Sequence, residues 1–439
     1  MGRKSVVYNS VLTIFRQLVG IIIGILSAMI IARVLGADGQ GKYALIILLP
    51  NMFYTLFNIG VPASTVYYIG KKEYLLEDIF KTNLLTAVIL SFLTGVLSCL
   101  FIYFYQDVFY DKIEWSVLAI SLISLPFIFL SKNLQVIFQG KEEFEKFNFI
   151  VILNQLGIFV FCLVFLILLG WGLFGAVAAF VCGQVLVFLA LFYFLKLDFN
   201  LSPFRGNFSK SYFRNSFYYG IKGHISNILA FINYRIDLFI IAYFLNDYYV
   251  GLYSVAVTVV ERIWVVSQSV STVLFARVSN LTTDIERAQF TSIVARNVLF
   301  ISLTGGVILY FIGGWLINLL FGAEFDDALA PFILLIPGVV LLSFARILSN
   351  FFSGIGKPEI NTYVASFTTV LNIGLNIYLV PKLYVTGAAI ATSITYATNM
   401  VIKTTIFGIM NKISFLEFLI VRPSDFKLYK KYINKALKQ

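Results

Sequence analysis

Apolar runs long enough to cross a bilayer follow one another along almost the whole chain, and they leave few folds open to it. A hydrocarbon core of about 30 Å needs about 20 apolar residues per helical crossing. Runs of that kind fall near 9–34, 43–70, 81–106, 115–139, 147–169 and 172–196. A basic, polar stretch from Lys196 to Arg214 interrupts the pattern, and six more runs follow near 216–245, 251–277, 292–321, 329–354, 359–381 and 385–411. The composition agrees with this reading: 59% of residues are hydrophobic, 13% are charged and the mean hydropathy is +0.89. Soluble globular chains carry about 25% charged residues. The expected fold is an all-α membrane protein of about twelve transmembrane helices with almost no soluble domain.

The net charge of +11 does not point to nucleic acid, because the basic residues punctuate apolar runs instead of clustering on soluble elements. Their placement sets the topology, since cytoplasmic loops carry the excess of Lys and Arg. With the N-terminus inside, most of the 33 basic residues fall on the cytoplasmic side, among them Lys71, Lys72, Lys141, Arg205, Lys210 and Lys430. The outer loops hold Arg33, Lys42, Lys112 and Lys382. Both termini are therefore expected in the cytoplasm, and the helix count should be even. The first apolar run, Val11 to about Leu35, is longer than a signal peptide's and contains Arg16, so an uncleaved first helix is expected. Cys99, Cys162 and Cys182 all sit in apolar runs and read as small core residues.

A direct repeat organises the chain. Leu35, Gly41 and Tyr43 follow the first helix with a spacing that Leu245, Gly251 and Tyr253 reproduce after the seventh. Gly140-Lys141 closes the fourth helix as Gly356-Lys357 closes the tenth, and Gly175-Ala176 opens the sixth as Gly387-Ala388 opens the twelfth. Six helices per half place both halves in the membrane with the same orientation, related by a pseudo-two-fold axis along the membrane normal. The expected organisation is an N-terminal six-helix bundle over 1–200, a cytoplasmic linker over 201–214, a C-terminal six-helix bundle over 215–411 and a basic cytoplasmic tail over 412–439. Lysines 427, 430, 431, 435 and 438 of that tail suit anionic lipid headgroups.

Eight basic residues fall inside the expected helices: Arg16, Lys132, Lys222, Arg235, Arg262, Arg296, Arg346 and Lys403. Each costs roughly 2.5–3.5 kcal/mol at mid-bilayer, so the set facing lipid would cost on the order of 20–28 kcal/mol. Lys132 and Arg296 lie nearest helix ends and are expected to snorkel, a route open to Lys403 beside the cavity. The others need a watery cavity or a buried partner, and the acidic residues available are chiefly Asp237 and Glu261. Arg235 with Asp237 and Arg262 with Glu261 are too close in sequence to face one another on one helix. The expected cavity cations are Arg16, Arg235, Arg346, Lys222, Arg262 and Lys403. Polar stripes accompany them, with Asn233 on helix seven, Asn51 and Asn58 on helix two, Asn376 on helix eleven and Asn399 on helix twelve. Amides suit a polar passenger, although such side chains also join helices in membranes. Intramembrane prolines Pro50, Pro62, Pro126 and Pro337 are expected to bend their helices.

Several chemistries find no residues. The single histidine, His224, builds neither a metal site nor a Ser-His-Asp triad and reads as a satisfied helical side chain. The glycines at 36, 39 and 41 lie in a loop and not at a strand-to-helix turn, and no Walker A sequence occurs. No cofactor is expected.

The run Ile31-Ala32-Arg33-Val34-Leu35-Gly36, followed by Gly39, Gly41 and Tyr43, resembles the opening of Wzx-type bacterial polysaccharide flippases. Tyr234-Arg235-Ile236-Asp237 leading to Gly251-Leu252-Tyr253, then Gly354-Ile355-Gly356-Lys357, then Asn372 to Asn376 with Pro381 and Gly387 to Thr392, are similar to the same family. That family belongs to the multidrug, oligosaccharidyl-lipid and polysaccharide exporter superfamily. The resemblance implies two six-helix bundles facing a central cavity, and movement of undecaprenyl-pyrophosphate-linked oligosaccharides from the inner to the outer leaflet of the bacterial cytoplasmic membrane. Arginine suits a diphosphate passenger, being always charged and able to grip two oxygens at once. The partners so implied are the lipid-linked oligosaccharide, membrane lipids and other polysaccharide-assembly proteins. The competing readings are a cation-coupled drug exporter using Asp237 or Glu261, and a membrane glycosyl polymerase or ligase. Helix one carries Arg16 where drug exporters tend to carry an acid, and the outer loops are too short for an extracellular catalytic domain.

Overall fold

The computed structural model describes residues 6–281, 283–422 and 425, without the side chains of 6–14, 222, 272–273, 275–277, 280 and 415–416. Among the described residues every regular element is helical. The α-helices are α1 (Val6–Phe57), α2 (Val61–Lys71), α3 (Leu76–Phe109), α4 (Trp115–Gly140), α5 (Phe144–Cys162), α6 (Gly172–Phe199) and α7 (Lys210–Phe244). They continue as α8 (Asp247–Val260), α9 (Trp264–Asn280), α10 (Asp284–Phe321), α11 (Leu329–Gly354), α12 (Glu359–Asn411) and α13 (Phe415–Leu419). Among the described residues, ten segments are long and apolar enough to cross a membrane.

Two of those ten each supply two crossings. A straight helix of 52 residues would run about 78 Å, more than twice the hydrocarbon thickness. The backbone of α1 breaks at Gly36, where φ is 68° and ψ is −177°. The 53-residue α12 breaks in the same way at Tyr384, at φ 54° and ψ −140°. About twelve crossings result, and the chain is a multi-pass membrane protein.

Helix boundaries follow local chemistry more often than apolar length. The second expected run, 43–70, is interrupted: Ile59 has φ 48° and Gly60 has φ 74°. Pro62 then stands in the first turn of α2, where proline's missing N–H would have had no helical partner. It starts a helix there and bends none, whereas Pro50, Pro126 and Pro337 do lie inside α1, α4 and α11. A π-helical turn, Leu163–Leu168, ends the fifth crossing, and the 3-10 turn Glu261–Ile263 joins α8 to α9.

The chain forms two compact units, Met1–Val255 with Ile317–Ala328, and Ala256–Leu316 with Leu329–Gln439. In the first, the ends of α2, α3, α4, α6 and α7 share a core containing Tyr68, Phe80, Leu134, Phe138, Leu191 and Tyr212. Crowded around it is a buried polar network. Tyr212 donates to Asn83 Oδ1 at 3.1 Å, Asn83 donates to Thr65 Oγ1 at 2.8 Å, and Ser64 pairs with Ser216. Gly60 and Gly220 allow the α2 and α7 backbones to touch, since a Cβ on Gly60 would lie 2.4 Å from the Gly220 oxygen. In the second unit α11 packs on α9 and α12, with Phe344, Phe351, Phe352 and Phe407 all buried.

Candidate functional site

The break in the second crossing decides the role of two residues singled out above. Asn58 is spent on that helix end: its amide donates to the carbonyls of Tyr54 and Thr55, and its Oδ1 accepts from Gly60 N at 3.0 Å. With Gly60 turned away, the Leu56 carbonyl meets His224 Nε2 at 3.1 Å, and His224 is 2% exposed. The lone histidine thus caps a broken helix through Nε2, whereas its buried Nδ1 has no hydrogen-bond partner among the described residues, so it is only half satisfied.

The other amides are likewise occupied by helices. Asn51 donates to the Ile47 carbonyl one turn back. Asn376 donates to the carbonyl and the side-chain oxygen of Asn372, and Asn399 reaches Thr368 Oγ1 at 3.4 Å, joining the two arms of α12. Asn233, Asn376 and Asn399 are all buried, and each keeps a side-chain oxygen with no hydrogen-bond partner among the described residues.

The acidic candidates have neighbours too. Asp237, buried on α7, accepts from Tyr253 Oη at 2.6 Å and from Leu238 N at 2.9 Å. Glu261 lies in the 3-10 turn between α8 and α9 and is half-buried.

Of the cations, the structure brings Arg346 and Lys403 into one cluster. The Arg346 guanidinium stacks over the indole of Trp264, 3.8 Å from the ring centroid. Trp264 is itself fixed: its Nε1–H donates to the Val339 carbonyl at 3.1 Å, and Tyr396 lies against it with centroids 6.0 Å apart. One turn beyond Arg346, Ser349 Oγ accepts from Lys403 Nζ at 2.8 Å. Lys403 is 6% exposed, and among the described residues no carboxylate pairs with it. Asn350 completes the region, donating to Ser271 Oγ and to the Arg346 carbonyl, both at 2.8 Å. Two cations on facing helices, one stacked on an aromatic and one held by a hydroxyl, form a buried basic site in the second unit.

The remaining cations stand elsewhere. Arg16, on the first arm of α1, lines a pocket of about 440 Å³ with Glu145, Lys146, Asn148 and Phe194. Arg235 donates to the Tyr234 carbonyl at 3.2 Å and Arg262 to the Thr258 carbonyl at 3.0 Å. The side chain of Lys222 lies outside the described residues, as do the tail lysines. Snorkelling is not what the structure shows for Lys132, Arg296 or Lys403. Lys132 sits 4.4 Å from the centroid of the Tyr54 ring, and Lys403 is buried on Ser349. Arg296, 5% exposed, donates through Nε to Asp425 Oδ2 at 2.5 Å, through Nη2 to Asp425 Oδ1, and through Nη1 to the Glu417 carbonyl. Trp264, Ser349 and Asp425 were not singled out from the sequence. Ser349 could have been found, lying three residues after an intramembrane arginine; Trp264 reads simply as apolar core.

Among the described residues, no group of three His, Cys, Asp or Glu side chains could hold a metal ion. Solved structures of membrane proteins share the fold, two of them as follows. The lipid II flippase MurJ in its inward closed conformation superposes with a TM-score of 0.76 at 18% identity, over 94% of this chain and 89% of that one. The outward-facing multidrug resistance MATE family transporter of the MOP superfamily superposes with a TM-score of 0.69 at 15% identity, over 93% and 96%. Fold and apolar spans together define a polytopic helical membrane protein. Within that class, the family model described as polysaccharide biosynthesis protein matches residues 30–330, and the chain belongs to that family. A putative O-antigen transporter of Shigella flexneri is 24% identical over 404 residues, 89% of this chain and 94% of the relative. A probable low-salt glycan biosynthesis flippase of Haloferax volcanii is 27% identical over 214 residues, 47% of this chain and 45% of the relative, so that match spans less than half of the archaeal protein.

Proposed function

We propose that this protein is a flippase for undecaprenyl-pyrophosphate-linked oligosaccharides, carrying them from the inner to the outer leaflet of a bacterial cytoplasmic membrane, with both termini in the cytoplasm. The observation that carries the reading is that Lys403 is held by Ser349, one helical turn from the Arg346 that stacks on Trp264, in a buried cluster of a polysaccharide-family chain. Two like charges so placed repel one another in a low dielectric, and an anion between them offsets that cost. A diphosphate is the anion that a lipid-linked sugar brings. Stacking on Trp264 occupies the face of the guanidinium, and its in-plane N–H groups are the ones that grip phosphate oxygens in pairs. Arg16, Arg235, Arg262 and Lys222 serve as further cationic stations during alternating access, and buried amides such as Asn399 meet sugar hydroxyls as helices part. The lipid tail stays in the bilayer.

Deleting the gene and re-expressing variants tests this. Lys403→Met with Arg346→Met should leave lipid-linked oligosaccharide stranded on the cytoplasmic leaflet although the protein reaches the membrane in normal amount. Unchanged flipping by that double variant, and by a second one with Arg16, Arg235 and Arg346 all alanine, would refute the cationic role.

A further inference from the structure

The residues that carry the repeat and the family likeness form none of the basic site above. Those around Gly41 and Gly251 meet one another at one face of the membrane. Counting crossings from the N-terminus, the ends of the first, seventh and ninth all emerge on the face opposite to it, at Leu35, Leu245 and Phe321.

The contact is reciprocal. A Cβ on Gly41 would lie 1.8 Å from the Asp247 carbonyl oxygen, and one on Gly251 would lie 1.9 Å from the Ala37 carbonyl oxygen. Each glycine therefore touches the carbonyl four residues before the other, and the repeated Gly-x-Tyr spacing is the imprint of this backbone contact. Gln40 Nε2 donates to Ser254 Oγ at 3.4 Å, both buried, and so joins the same two segments. Two charged side chains bind neighbouring helix ends. Arg33 donates to the carbonyls of Leu320 at 2.9 Å and Leu319 at 2.5 Å, among the last four of α10, which have no helical donor. Glu324 accepts from Ala37 N at 2.7 Å, at the start of the second arm of α1. A cation thus sits on a helix C-terminus and an anion on a helix N-terminus, each where the helix dipole favours it. Gly36 makes room: a Cβ there would lie 2.9 Å from both Glu324 carboxylate oxygens.

We propose that Arg33, Glu324 and the Gly41–Gly251 contact are a latch that seals this face of the membrane and is undone once in each transport cycle. The proposal rests on the reading of the chain as an alternating-access transporter, not on the identity of its cargo. Both charged members bind backbone groups of helix ends and not another side chain, so separation of those ends frees groups that water can satisfy. The glycines set the closed distance: a methyl group at either position holds the helices apart.

The test is chemical labelling of a cysteine placed under the latch. Ser254→Cys is introduced into a chain whose Cys99, Cys162 and Cys182 are alanine, in intact cells, and a membrane-impermeant maleimide is added from outside. In the latched protein labelling is slow. Arg33→Ala and Glu324→Ala should each raise its rate about tenfold, the shift expected from losing a hydrogen bond to a charged group. Gly251→Ala should act in the same direction, and Glu324→Asp should restore slow labelling. Rates equal to the parent in all three variants, measured on folded protein recovered by size-exclusion chromatography, overturn the latch. Labelling needs no substrate: if the parent moves no lipid-linked oligosaccharide, the proposed cargo falls while the labelling rates still judge the latch.

Discussion

At the scale of single residues, Trp264 links the apolar core to the basic site. Its indole N–H holds the Val339 carbonyl and its face holds the Arg346 guanidinium. Trp264→Phe keeps a ring but removes that hydrogen bond and weakens the cation–π attraction, for a loss of about 1–2 kcal/mol. We expect a lowered unfolding temperature in detergent and slower flipping; unchanged values for both would show that Arg346 does not depend on the indole. Asp425 makes a second residue-scale case. Burial alone would raise its carboxyl pKa, but hydrogen bonds from Arg296, the Arg422 backbone N–H and Asn297 outweigh that and hold it below the usual carboxylate value. A depressed folded value means that the stability is fully present above the unfolded pKa of about 3.9 and is lost as the pH falls through the folded one. Asp425→Asn leaves Arg296 buried without its charge partner and should cost about 3–5 kcal/mol at neutral pH. The gap between wild type and variant, followed by thermal denaturation, should narrow as the pH is lowered past about 4. Arg346 and Lys403 were legible in the sequence because a charge in an apolar run demands an explanation. Their aromatic and hydroxyl supports were not, because a tryptophan or serine in such a run demands none.

Among the elements, glycine context decides where a helix tolerates change. Gly60 has φ 74° and its missing Cβ would fall 2.4 Å from the Gly220 oxygen, at the junction where His224 caps the Leu56 carbonyl. Gly60→Ala combines backbone strain with a backbone clash and should destabilise by roughly 1–3 kcal/mol. Gly95, inside α3, has nothing within 4 Å of where its Cβ would stand. Gly95→Ala should stabilise by about 0.5–1 kcal/mol by removing helix-interior glycine freedom. Chemical denaturation of the purified protein ranks the two, and opposite signs are the expected result. Apolar length alone located α4 and α11 to within a residue, because Trp115 and Leu329 follow polar turns and Gly140 and Gly354 end the runs. It could not locate the break at 58–60, where an isoleucine takes a left-handed conformation inside an apolar stretch. Nor could it show that Asn58 serves that break and not a passage, since spacing is the same for either role.

Across the whole molecule, the count of crossings is a claim about bending at two residues. If α1 and α12 each crossed once, the face reached by every loop between them would be inverted relative to the N-terminus. The breaks at Gly36 and Tyr384 return those loops to the opposite faces, while the number of crossings is even with or without them. The charge pattern requires the broken form: Lys141 and Lys357 belong to the loops rich in basic residues, and Lys112 and Lys382 to the poor ones. Tyr384 is the costlier bend, a non-glycine residue at positive φ that persists only because its surroundings fix it. Substituted cysteines read the result directly, again with the three native cysteines replaced by alanine. In intact cells an impermeant maleimide should label Lys112→Cys and Lys382→Cys, and should reach Lys141→Cys and Lys357→Cys only after permeabilisation. Labelling of Lys382→Cys from the same side as Lys357→Cys would mean that the first arm of α12 does not cross. Labelling of Lys141→Cys before permeabilisation would mean that α1 crosses once, and the repeat would then no longer place its two halves in the membrane with one orientation.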